Sequence, residues 1–152
     1  MAARIDIADL VRQGVAVVVA TRDWERHPAL SRAWGPALSG DGARLTVCVE
    51  AAPGSAMARN LEPGSPVAAT LARLSTPATV QLKGAVAEVA HPTQDRLDAV
   101  REHVEDFVAE TALVGVSESI ARALVGPDLL TVTIEVAERY DETPGPGAGE
   151  PL

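Results

Sequence analysis

A chain of 152 residues is long enough to bury a core without disulfides or a structural metal, and its single cysteine, Cys48, excludes an internal disulfide and a cysteine-based zinc site. The formal net charge of -8 argues against a nucleic-acid partner, because neutralising phosphates requires a basic face. Hydrophobic residues make up 47% of the chain but aromatics only 3%, so the core has to be built from alanine and β-branched side chains, which favours sheet.

No run of about eighteen apolar residues occurs, and acids interrupt the N-terminal stretch MAARIDIADLVRQG where a signal peptide needs an apolar core. A soluble, non-exported, cytoplasmic protein with no membrane partner is expected. Ile5, Ala8, Leu10 and Val11 give a short apolar stripe that ends at Gly14 and predicts a lid helix of about two turns. Val15 to Thr21 is a β-branched run, read as a strand covered on both faces. After the polar turn RDWERH, Pro28 to Leu38 forms a second strand, and SGDGA supplies the hairpin chemistry leading to a third, in which Leu45, Val47 and Val49 alternate with Thr46, Cys48 and Glu50. Cys48 is read as a buried, inert thiol.

Ser55 is a plausible N-cap for a short helix from Ala56 to Leu61, which the cluster EPGSP stops. Val67, Ala69 and Leu71 mark a fourth strand. The stretch Ala78 to Ala90 is the longest strand pattern, with Val80, Leu82 and Val86 on one face and Gln81, Lys83 and Ala85 on the other. Gly84 interrupts it, as glycine does at a bend or a close backbone approach. Lys83 is the only lysine; it marks either a solvated strand face or a place for an anion. From Thr93 the period changes, and Leu97, Val100, Val104, Phe107 and Val108 predict an amphipathic helix to about Thr111. A second short helix begins at the cap Ser117, and Leu130, Val132, Ile134 and Val136 alternate in a final strand. Residues 1–140 are read as one domain and residues 141–152 as a tail that is either disordered or extended on a neighbouring surface.

Nucleotide-binding glycine loops, zincin motifs and nucleophile elbows are all absent. His27 and His91 fall in turns and His103 on an exposed helix face, with no paired spacing that would make a metal site. Trp24 and Trp34 are notable in so aromatic-poor a chain, each either packing against a planar cofactor or filling a core or subunit interface.

The order of these elements, with the segments VAVVVATRD, LSRAWG, LTVCVE, SAMARNLEPGSPVAAT and TVQLKGAV, resembles the FMN-binding split barrel of the pyridoxamine 5'-phosphate oxidase-like proteins from about Val15 to Tyr140. The resemblance implies a mainly β (α+β) fold, a six-stranded antiparallel split β-barrel with flanking helices. It also implies a homodimer with FMN in clefts between subunits. Carried over by position, Arg32 matches an arginine that holds the flavin phosphate, and Ser55 matches a serine that opens the following helix. Other positions depart: Ala37 replaces a lysine, Val49 a threonine, Ala56 and Met57 an arginine and a lysine, and Thr79 a glutamine. Arg59, one turn beyond Ser55, and Arg73 and Lys83 could supply charge to a reorganised site, with Trp34 against the ring. Two functions follow from the resemblance: a flavin-dependent oxidoreductase of unknown substrate, or a non-catalytic module holding flavin, haem or another small-molecule ligand, with His27 or His91 the haem candidates.

Overall fold

The computed structural model describes residues 4–152. It contains a short helix α1 (Ile7–Val11), strands β1 (Ala16–Arg22), β2 (Pro28–Leu38) and β3 (Arg44–Glu50), helix α2 (Ala56–Asn60), and strands β4 (Pro66–Ala72) and β5 (Thr79–Ala90). Helices α3 (Gln94–Ala112) and α4 (Glu118–Ala123) follow, then β6 (Leu129–Asp141) and the two-residue β7 (Glu150–Pro151). Neighbouring strands run β3-β2-β1-β4-β5-β6, and β6 pairs with β3 as well as β5, which closes a six-stranded antiparallel barrel. Closure removes the open edges that a flat sheet of this size would expose.

The alternation read from the sequence gives the barrel its lining. Val17 and Val19, Leu45, Val47 and Val49, Ala69 and Leu71, Val80 and Leu82, and Val132 and Ile134 all point inward and are buried. Each such valine, leucine or isoleucine contributes about 1.5–3 kcal/mol on leaving water, and their small, branched shapes suit a narrow interior. A second apolar layer lies outside the barrel, where Val100, Val104 and Phe107 of α3 and Ala121 of α4 cover Trp34 and Cys48. Cys48 is the buried free thiol expected.

Three register shifts interrupt the pairing among the described residues, one of them in β5 between Val86 and Glu88, and the other two shape the barrel. In β2 one extra residue lies between the pairs Trp34–Cys48 and Ala37–Thr46, and Gly35 there has φ of 61°, a left-handed conformation that glycine tolerates. The bulge breaks the alternation, so that Ala33, Trp34 and Gly35 are buried in succession and the strand passes beneath α3. Opposite Gly84, β6 carries an extra residue between the pairs Lys83–Glu138 and Gly84–Val136. A Cβ on Gly84 would stand 1.8 Å from the Glu135 carbonyl oxygen, so the close backbone approach expected there is real.

Four expectations are corrected or sharpened. His103 is only 7% exposed, not on a solvated helix face. Its Nδ1 accepts from the Gly35 N–H at 3.0 Å, and its Nε2–H donates to the Val15 carbonyl at 2.9 Å. Arg96, one helical stretch earlier, donates to the Gly35 carbonyl, so both polar groups of the bulge are satisfied by α3. Glu110, also buried, ends α3 by accepting from Arg73 Nε at 3.1 Å and from the Ser75 N–H at 3.0 Å and hydroxyl. The final strand runs on to Asp141, and the lid helix is five residues long, capped by Asp6. In the tail, β7 pairs with Tyr140 and Asp141, and the Leu152 N–H bonds to the Arg139 carbonyl at 2.9 Å.

Candidate functional site

The outer face of β2-β1-β4-β5-β6 beyond the cover of α3 is open to solvent. Register places its residues in lateral rows. One row runs Arg32–Val18–Thr70–Gln81–Tyr140 and the next Leu30–Ala20–Ala68–Lys83–Glu138. Leu30 is 69% exposed and Val18 39%, so the β2–β1 part of the face is apolar, with Arg32 next to both. Arg32 on β2 and Lys83 on β5 lie three strands apart around a closed six-stranded barrel, so they face different sides of it and cannot share one anion. Neither takes part in an ion pair among the described residues. The Lys83 ammonium sits 4.9 Å from the centre of the Tyr140 ring, and the Tyr140 hydroxyl donates to Glu138 at 3.0 Å, a bond that raises its pKa.

The remaining residues expected at a site lie elsewhere. Trp34 is 2% exposed; its ring meets Phe107 edge-on at 5.2 Å, and its indole N–H donates to Glu50 at 2.8 Å. Of the two roles expected for it, the structure gives it core packing. Ser55 caps α2 by accepting the Ala58 N–H at 3.1 Å, and Arg59 is tied back to the Gly54 carbonyl, so α2 closes on itself. Thr79 donates from its N–H to Thr143 at 3.1 Å and from its hydroxyl to the Pro77 carbonyl. Trp24 is 94% exposed at the β1–β2 turn.

Ser55 lines a groove of about 500 Å³ together with Ser31, Met57, Glu50 and Asp128. One Glu50 oxygen already accepts from Trp34 and, at 2.8 Å, from the Gly126 N–H. With two carboxylates and no cation lining it, this groove does not fit a phosphate. The β2–β1 part of the sheet face offers an anionic group one cation, Arg32, beside the exposed apolar side chains Val18 and Leu30. Gln81 belongs to that face and went unread as a site residue; its amide donates to Thr70 at 3.1 Å in the same row as Arg32. Its signal was the period of two counted from Lys83. Asp23, Glu25 and His27 bring their ligating atoms within 4.8 Å of one another, but Asp23 already holds the His27 N–H and ring in a local turn. Among the described residues, no helix is long and apolar enough to cross a membrane.

A closed six-stranded antiparallel barrel with flanking helices in this order is a split β-barrel fold. Among solved structures the chain is similar to an F420 reductase, with a TM-score of 0.57 and 13% identity over 90% of this chain and 98% of that one. It is similar to HupZ of Group A Streptococcus at 0.56 and 17%, over 96% and 100% of the two chains. A candidate pyridoxamine 5'-phosphate oxidase from Lactobacillus delbrueckii gives 0.51 and 19%, over 88% of each. At these identities the shared property is the fold. No family model matches the sequence, and no curated protein matches it.

Proposed function

We propose that the protein is a homodimeric flavin-binding protein that carries FMN on the outer sheet face and acts as a flavin-dependent oxidoreductase. The observation that carries this reading is Arg32, in no ion pair among the described residues, beside the exposed side chains Val18 and Leu30 on a barrel similar to an F420 reductase and a candidate pyridoxamine 5'-phosphate oxidase. Flavin, when bound, supplies the redox chemistry. The chain's part is to hold and orient it: Arg32 would pair with the phosphate, and Thr70, two strands along the same row, would offer a hydrogen bond. A second copy over Val18 and Leu30 would exclude water from the cleft and bury side chains that a lone barrel leaves wet.

The test is an absorption spectrum of the purified protein followed by FMN titration. Flavin binding is expected, and Arg32→Ala should weaken it at least tenfold, since a charge-assisted contact is worth about 1.5–3 kcal/mol. Equal affinity in the two proteins would remove Arg32 from the site. Light scattering checks the dimer; Leu30→Asp should give a monomer. A non-catalytic binding module on the same fold is the second reading, favoured by the carboxylates of Glu50 and Asp128 beside Ser55. Bound flavin that NADPH does not reduce would support it.

A further inference from the structure

We infer that the groove at the Arg22 end of the same sheet face is an anion subsite for a phosphorylated small molecule, separate from the Arg32 position. The groove has a volume of about 360 Å³, within the range of small-ligand pockets, and Arg22, Arg26 and Lys83 line it. Its walls are Ala20, Val67 and Ala68 with two prolines and Gly84; no carboxylate lines it. In a chain with 21 acidic residues against 13 basic ones, three basic residues and no acid lining one groove run against composition; the Lys83 ammonium also lies 4.9 Å from the centre of the Tyr140 ring. None of the three is in an ion pair among the described residues.

The nearby acids are committed elsewhere. Glu138, cross-strand from Lys83, accepts from the Tyr140 hydroxyl, and Asp23, next to Arg22, accepts from His27. Arginine forks match phosphate oxygens in pairs, and a lysine adds a point charge. The small walls admit the flat apolar body of a ligand whose charged end meets these groups. On the flavin reading, which gives this subsite its role, the occupant is the second reactant; the binding itself does not depend on flavin.

Titration of the ¹⁵N-labelled full chain with inorganic pyrophosphate at low ionic strength tests the subsite. Saturable amide shifts are expected at Ala20 to Arg22, Val67 and Gly84, with at least tenfold weaker binding in Lys83→Gln. Arg26→Gly should weaken it as well, and glycine suits the φ of 68° there, so that variant keeps the turn. Shifts that grow linearly without saturating, shifts centred on Ser55, or unchanged affinity in both variants would overturn the inference. Pyrophosphate binding without FMN binding would keep this groove and remove the flavin reading; FMN binding without a pyrophosphate response would do the reverse.

Discussion

Acid should loosen the helix that covers the barrel, and His103 is the reason. Its ring bridges the start of β1 to the β2 bulge, which requires Nδ1 to be an unprotonated acceptor and Nε2 to carry the proton. Burial lowers its pKa, against smaller opposing contributions from the Val15 carbonyl and the charge of Asp106. The unfolded chain therefore binds the proton more readily than the folded one. Stability from this group is complete above the unfolded value of about 6.5 and is lost as pH falls through the folded value, at up to about 1.4 kcal/mol per pH unit. Replacing the ring with alanine would orphan the buried Gly35 N–H and Val15 carbonyl, at about 1–3 kcal/mol each, and leave a void. A total of about 3–5 kcal/mol is expected for His103→Ala, a fall in Tm of about 6–20 °C for a domain of this size. The His103→Gln variant keeps a donor and an acceptor at this position but does not titrate. Urea unfolding at pH 8 and pH 5.5 should show a pH-dependent loss in the natural protein that is reduced in His103→Gln. Parallel losses in both would refute the assignment.

Other outcomes follow from the same geometry. Gly84→Ala should cost at least about 3 kcal/mol in a thermal melt, since its methyl group would stand 1.8 Å from a backbone oxygen; an unchanged Tm would mean the bulge can relax freely. At Glu110, burial alone would raise the pKa, but the bonds from Ser75 and Arg73 outweigh it and the carboxyl titrates below its usual range. Its stabilisation is present above the ordinary carboxylate value and lost as pH falls through the folded one, so Glu110→Gln should flatten stability against pH below about 4.5. Trp34→Phe keeps the ring packing but leaves Glu50 one donor short, and should cost about 1–2 kcal/mol in urea with little change in flavin affinity.

Strands and helices were legible because their side chains obey simple periods. The inward residues of β3 and β5 alternate with outward ones, and Ser55, Thr93 and Ser117 each cap the helix that follows. His103 was not legible: the heptad-like spacing of α3 places it among charged residues, and only the β2 bulge, which sequence does not announce, turns a strand toward it. The same bulge draws Trp34 under the helix. Lys83 stands out in the sequence as the only lysine and Arg32 by its place in the second strand, whereas Arg22 and Arg26 read as parts of a polar turn, and that they line one groove with Lys83 depends on a register between three strands. Glu50 read as the end of a strand, and nothing local reveals that its carboxylate collects two donors from distant segments.

Barrel closure sets an order of events for a chain emerging from the ribosome. β6 is the keystone, pairing Glu135 with Arg44 on one side and with Ala85 on the other. Until residues 129–141 have left the exit tunnel, β3 and β5 each present an unpaired edge, and α3 has only a partial barrel to cover. Contacts this distant in sequence form late and slowly. The nascent protein therefore passes through a stage with two sticky edges, and a pause in translation just before residue 129 would prolong it, which makes that interval the one in which a chaperone or an errant second copy has most to grasp.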